Sequence, residues 1–264
     1  MRILYIGDVM AEVGIETLEA ILPGLRQEYQ IDIAIAQAEN VTAGKGITPD
    51  DFKRLQNAGV DFCTGGNHIF DKSEIFPQLE SDFEPIIRPA NYPANTPGKG
   101  YKILRKNNRT VLVISLLGHV VGKDSAMVLD NPLQVVDAIL EMHKNTKRDA
   151  TVVNFHGDYS SEKIVIGQYL DGRVSAVVGD HWHVPTADAR VLPRGTAHIT
   201  DVGMVGALNS SLGVKTDTII ARWRDNTRNK NDLETEGPRQ FNAVLIETNQ
   251  QGLADTITQI QRAL

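Results

Sequence analysis

Three observations on this 264-residue chain predict an α/β layered fold. Strand-like, β-branched runs alternate with helix-like stretches along most of its length, the pattern of a sheet covered by helices. Tyr101 to Leu104 and Thr110 to Leu117 read as two antiparallel strands joined at Lys106-Asn107-Asn108, so strand pairing is mixed. Five runs end in residues that can bind metal or move protons, and strand ends on one sheet edge are where such groups converge.

The elements follow in order. Ile3 to Ile6 is a strand closed by Gly7-Asp8-Val9. A helical stretch runs from about Ile15 to Tyr29, and Pro23 inside it should kink it or mark a restart. Ile31 to Ala36 is a strand closed by Ala38-Glu39-Asn40. Pro49 to Leu55 reads as a helix, with Thr48 as N-cap and Pro49 in the first turn. Val60 to Phe62 is a strand leading to Gly66-Asn67-His68, and Lys72 to Leu79 is a short helix. Arg88 to Gly100, with Pro89, Pro93 and Pro97, is a long loop before the hairpin. Pro132 to His143 is helical, Thr151 to Val153 begins a strand closed by Asn154-Phe155-His156, and Ser161 to Leu170 is a helix. Val174 to Val178, Ala197 to Thr200, Thr218 to Ala221 and Ala243 to Glu247 read as further strands, and Leu253 to Leu264 as a closing helix. Arg222 to Gln240 is polar and highly charged, an exposed excursion and not a boundary. With no internal repeat, residues 1–264 read as a single domain.

Composition narrows the function. Apolar residues make up 41% and charged residues 23%, ordinary for a globular protein. A net charge of -6 argues against duplex nucleic acid as a partner, which would demand a basic face. It leaves room for a small phosphate ester, because bound metal ions supply positive charge locally. The single cysteine, Cys63, forms no intramolecular disulfide, which fits a reducing compartment. The N-terminus shows no signal-like apolar region, and no run approaches the ~18 residues of a membrane span. The expectation is a soluble, cytoplasmic protein with no membrane partner; assembly into a homo-oligomer stays open.

Asp8, Glu39, Asn40, Asn67, His68, His156, His181 and His183 together offer carboxylate, amide and imidazole donors. That set suits divalent Fe, Mn, Zn or Ni and not a thiolate-type structural zinc site. Seven ligands plus waters suffice for two ions sharing a bridge. Two metals ~3.5–4 Å apart are a standard device for phosphate-ester hydrolysis, making a hydroxide nucleophile at neutral pH without Ser or Cys.

The motifs resemble those of the calcineurin-like metallophosphoesterases: D-x-H, G-D-x-x-D, G-N-H-D/E, a lone His and G-H-x-H. Gly66-Asn67-His68 matches the third, His156 the fourth, and Gly179-Asp180-His181-Trp182-His183 the fifth with one residue inserted. Asp8-Val9-Met10 lacks the first motif's His, and Ala38-Glu39-Asn40 replaces the second. Both departures are those of the YmdB-like branch, similar also at Arg88 to Pro93, Ser160 to Lys163, Asp171 to Val184 and Ile199 to Met204. The resemblance covers roughly residues 1 to 213 and resumes at Asn242 to Glu247. It implies a four-layer αββα sandwich, two divalent metal ions (Fe or Mn, with Zn as a further option) and hydrolysis of small cyclic nucleotides, the 2′,3′-cyclic ones in particular. By the same resemblance Asp8, Glu39, Asn40 and His183 hold one ion, Glu39 bridges, and Asn67, His156 and His181 complete the second. His68 is then not a ligand but the catalytic acid for the leaving oxygen, a role suited to an imidazolium at neutral pH. The rivals are a metal-binding regulatory protein with low turnover, and a phosphomonoesterase or nuclease.

Trp182 stands where the family has a small residue and is expected at the site rim. His119 replaces a family Arg next to the expected site. Lys163 reads either as a helix-capping residue or as a phosphate contact, and Thr42 to Gly46, lacking P-loop spacing, as a flexible active-site loop. His143 is expected on the surface and His198 within a strand.

Overall fold

Strands apolar on both faces mark the interior of this molecule: the runs at 33–37 and 150–156 are buried at every position, as in a sheet covered on both sides. The computed structural model describes residues 1–227 and 229–264. The elements are β1 (Arg2–Ile6), β2 (Asp8–Val9), α1 (Ala11–Glu28), β3 (Ile33–Gln37), α2 (Pro49–Ala58), β4 (Phe62–Thr64) and α3 (Phe76–Glu80). There follow β5 (Tyr101–Lys106), β6 (Arg109–Leu117), α4 (Pro132–Met142), β7 (Ala150–His156), α5 (Ser160–Leu170), β8 (Ala176–Asp180), β9 (Arg190–Val191) and β10 (Ala197–Ile199). The chain ends with β11 (Met204–Ala207), α6 (Thr216–Asp225), β12 (Arg239–Thr248) and β13 (Ala254–Ala263).

One sheet runs β2-β11-β12-β1-β3-β4, with β13 also paired to β12, and the other runs β5-β6-β7-β8-β10-β9. Three apolar cores define the layers. Ile3, Tyr5, Ile33 and Ile35 of the first sheet meet Val111, Val113, Val152 and Val178 of the second. The first sheet's outer face packs on Ile15, Leu18 and Leu22 of α1 and Phe52 and Leu55 of α2. Val136 and Ile139 of α4 and Ile166 and Leu170 of α5 cover the second sheet's outer face. Each such side chain contributes about 1.5–3 kcal/mol on burial. This is the expected αββα sandwich. β1 pairs with β3 in parallel, β3 with β4, β6 with β7 and β7 with β8, so these strands end at one pole of each sheet.

Four expectations are corrected. Leu253 to Leu264 is no helix: β13 pairs with β12 in antiparallel register, Ile257 opposite Ile246 and Ile260 opposite Ala243. Thr218 to Ala221 lies inside α6 and is not a strand. The excursion is therefore shorter than residues 222 to 240, since α6 runs to Asp225 and β12 starts at Arg239. Pro23 marks no restart: α1 runs through it as one helix. The carbonyl it frees belongs to exposed Glu19, where water can satisfy it. No helix among the described residues is long and apolar enough to cross a membrane.

Candidate metal centre

The common pole of the two sheets gathers the predicted residues. Asp8 follows β1, Glu39 and Asn40 follow β3, and Asn67 and His68 follow β4, all from the first sheet. His156 ends β7, and His181 and His183 follow β8, from the second. Asp8, Glu39 and His156 are fully buried, Asn40 nearly so.

Around His156 Nε2 lie Glu39 Oε1 at 3.1 Å, Asn67 Oδ1 at 3.0 Å and His181 Nδ1 at 2.8 Å. The ligand atoms of Glu39, His156 and His181 all fall within 4.8 Å of one another. A second group centres on the Asn40 amide, whose Nδ2 lies 3.1 Å from Asp8 Oδ1, 3.2 Å from Glu39 Oε1 and 3.3 Å from His183 Nε2. Glu39 Oε1 thus belongs to both groups. Three O/N atoms thus lie within about 3 Å of His156 Nε2, and this donor set fits a divalent cation.

The local chain is shaped for this convergence. Gly66 is required because a Cβ there would overlap Glu39 Oε2 and lie 2.6 Å from His156 Nε2. Gly179 lets β8 run against Thr200, whose carbonyl oxygen would overlap an added Cβ. His181 (φ 107°) and His183 (φ 62°) both occupy positive-φ backbone, rare for residues with a side chain and common where function holds strain.

Asp180 explains the orientation of His156. Its Oδ1 lies 2.6 Å from His156 Nδ1, which fixes the ring proton there and turns the Nε2 lone pair toward the centre. Tyr5 Oη, Gln37 Nε2 and Asn154 Nδ2 donate to Asp180 Oδ2 at 3.0, 3.1 and 2.5 Å. Burial holds His181 and His183 down at about 4, so both rings are neutral at neutral pH and able to offer a lone pair. Burial also raises the Asp8 carboxyl, as does nearby Asp180. Burial opposes charge on the His156 ring, but Glu39 and Asp180 raise it well above the free imidazole, and this charged ring holds desolvated Glu39 at about 2; a bound cation would take the place of the Nε2 proton.

A cleft of about 640 Å³ opens over Glu39, Asn40, His181 and His183, and His68 lines it without touching the ligand atoms through its ring. The His68 backbone N donates to Glu39 Oε2 at 2.8 Å, and its Nδ1 lies 3.3 Å from Asp71 Oδ2. Trp182 lines the same cleft, as do Gly44 and Lys45 of the 42–46 loop. Lys163 is neither a cap nor a phosphate contact. It is fully buried, donates to Asp201 Oδ2 at 2.9 Å and Asp180 O at 2.7 Å, and lies 4.1 Å from the Trp182 ring centre. His119 is exposed, pairs with Glu162 and lines a separate cavity of about 290 Å³. That cavity touches the centre through Asp124, which accepts from Asn67 Nδ2 at 2.9 Å. His143 follows α4 beside Tyr101, and His198 is buried in β10.

Sequence reasoning missed Asp180, treated only as an inserted residue, and also Asp158 and Asp201. Asp158 Oδ2 faces His181 Nε2 at 3.3 Å, and Asp201 Oδ2 accepts from the Trp182 backbone N at 2.9 Å. The signal was an Asp placed directly before His-x-His at a strand end.

A family model described as "YmdB-like protein" matches residues 4–260. The chain is 40% identical over 252 residues to the 2′,3′-cyclic-nucleotide 2′-phosphodiesterase of Bacillus subtilis (strain 168), covering 95% of this chain and 92% of that protein. A crystal structure of a hypothetical protein from Thermus thermophilus superposes with a TM-score of 0.89 at 38% identity, covering 100% of this chain and 99% of that one. A novel phosphatase from Mycoplasma pneumoniae superposes with a TM-score of 0.90 at 28% identity, covering 100% and 93%.

Proposed function

The chain belongs to the YmdB-like family, and on that premise we propose that it is a cytoplasmic, metal-dependent phosphodiesterase opening cyclic nucleotides, 2′,3′-cyclic ones in preference and 3′,5′-cyclic ones as a further class. The observation that carries the reading is the meeting of Glu39, Asn67 and His181 donor atoms on His156 Nε2, with Asp180 behind the ring. Asp8, Glu39, Asn40 and His183 would hold one divalent ion, and Asn67, His156 and His181 the second, with Glu39 shared; Fe or Mn suits the donors best, and Zn follows. When bound, such ions supply Lewis acidity and lower the pKa of a water from about 15.7 towards about 7.

The chain's own residues do the rest. Asn40 and Asn67 present neutral amides, which limits the negative charge facing an anionic diester. His68, held by its backbone bond to Glu39 Oε2, lines the cleft where the leaving ribose oxygen would lie. In hydrolysis the water oxygen joins phosphorus, one P–O bond to ribose breaks, and His68 gives that oxygen its proton. The partner is the small nucleotide, and neither duplex nucleic acid nor a membrane is needed.

The test is a panel of 2′,3′- and 3′,5′-cyclic nucleotides and p-nitrophenyl esters, assayed on purified protein with Mn or Fe. Turnover highest on 2′,3′-cyclic nucleotides is the expected result. Tight binding with no product over hours would make this a regulatory protein, and turnover of monoesters alone would make it a phosphomonoesterase.

A further inference from the structure

The cleft has two unlike sides. Its floor carries the candidate ligands, with Glu39 facing His156 and Asp158 facing His181. Its far wall is built by α6 and the segment around it, through Val214, Ile219, Arg222 and Asn231, and the 42–46 loop brings Lys45. Arg222 is half-buried, and its Nη2 donates to Asn229 O at 2.8 Å and Asn231 Oδ1 at 3.0 Å. Those bonds fix the guanidinium plane, and among the described residues its remaining N–H groups have no partner. Among the described residues neither Arg222 nor Lys45 has a carboxylate within 4 Å, although Lys215 close by is paired with Asp232. Two unpaired cations on one cleft wall stand out in a chain of net charge -6.

A cyclic nucleotide carries one negative charge, on the diester, and the floor accounts for it. A neutral nucleoside would give the far wall's cations nothing to bind. We propose that Arg222, assisted by Lys45, binds a second phosphate on the substrate, so that the preferred substrate is a 2′,3′-cyclic nucleotide that also carries a 5′-phosphate group. This deepens the phosphodiesterase reading and rests on it. The guanidinium is the side chain suited to the contact, because its planar fork matches phosphate oxygens in pairs. A terminal 5′-phosphate and the next phosphodiester of a short oligonucleotide present the same chemistry.

The experiment compares kcat/KM for 2′,3′-cyclic AMP, its 5′-phosphorylated form, and a diadenylate ending in a 2′,3′-cyclic phosphate. For a charge-assisted contact at a half-exposed site the wild type should favour the 5′-phosphorylated form about 10-fold. Added salt should shrink the preference. In Arg222→Met the ratio should fall to about one whatever the absolute rates, and in Arg222→Lys it should be intermediate. A gain with both extended substrates supports the proposal and shows that a terminal phosphate is sufficient; a gain with the diadenylate alone overturns the terminal-phosphate reading in favour of an oligonucleotide end. A wild-type ratio of one, or a ratio unchanged in Arg222→Met, overturns the proposal. If the wild type fails to open 2′,3′-cyclic AMP and its phosphorylated forms, the phosphodiesterase reading fails instead. The same ratio is then read as Kd by calorimetry, where equal affinities overturn the Arg222 contact as well.

Discussion

Replacing Asp180 by Asn should weaken divalent-metal binding at the centre without unfolding the protein. Its Oδ2 takes three donors, from Tyr5, Gln37 and Asn154, while Oδ1 faces only His156 Nδ1. An asparagine must place its one oxygen on one side. Leaving a buried donor unpaired costs about 1–3 kcal/mol, so the oxygen goes to the side with three donors. The new NH₂ then faces His156 Nδ1, which can only accept there, and the ring proton moves to Nε2. That is the atom around which Glu39, Asn67 and His181 gather, and protonated it has no lone pair for a cation. Loss of such a supporting partner typically weakens metal binding about 10–100-fold, or about 1.4–2.7 kcal/mol. Calorimetric titration with Mn²⁺ measures the affinity, and thermal unfolding of the metal-free protein reports the fold. Asp180→Ala, which removes the acceptor of all four donors, should lower Tm further than Asp180→Asn. Wild-type metal affinity in Asp180→Asn would refute the argument.

Three other outcomes are expected. His68→Ala should keep its metal by elemental analysis yet lose about 10²–10⁴-fold in rate on cyclic nucleotides. The loss should be smaller on p-nitrophenyl esters, whose leaving group hardly needs a proton; equal losses with metal loss would make His68 a ligand. Lys163→Met should destabilise the protein in urea by about 3–5 kcal/mol, because it leaves Asp201 charged and unpaired in a buried site, and adding Asp201→Asn should restore part of that. Lys102 is held down to about 8, chiefly by burial, against 10.5 when free. Between pH 8 and 10.5 the unfolded chain therefore binds more protons there than the native one, and wild-type stability relative to Lys102→Met should rise with pH across that window and be level below it. A flat difference in urea titrations from about pH 7 to about 10.5 would contradict this.

Elements whose apolar residues all serve one core, or fill both sides of a buried strand, were legible in the sequence. β1, β3, β6 and β7 are of this kind, and all five segments carrying candidate ligands lie at strand ends. The closing segment was not, and its geometry says why. Ile257 and Ile260 are three apart, a helical spacing, but β13 sends them to opposite faces. Ile260 joins the core under α1, and Ile257 joins the core between the sheets. A strand serving two cores mimics a helix when read one-dimensionally. α6 shows the reverse case: Thr218-Ile219-Ile220 is β-branched, yet Ile219 lines the cleft while Ile220 is about half exposed, so no sheet partner covers both faces. Asp180 acts through the His156 ring and Asp201 holds the Trp182 backbone, while Asp158 reaches the cleft from the loop after β7, roles that linear spacing does not reveal.

The donor set is divided by chemistry as well as by sheet. Every proposed oxygen ligand comes from the first 67 residues, and every proposed nitrogen ligand from residue 156 onward. Neither half of the chain holds both kinds of atom, so the centre exists only once the two sheets have docked. A bound cation would therefore act as a clasp across the sandwich, adding its free energy to the seam and to no single layer. Two fragments cut at the Asn107-Asn108 turn should each bind such a cation weakly alone, and metal affinity would then report their reassembly.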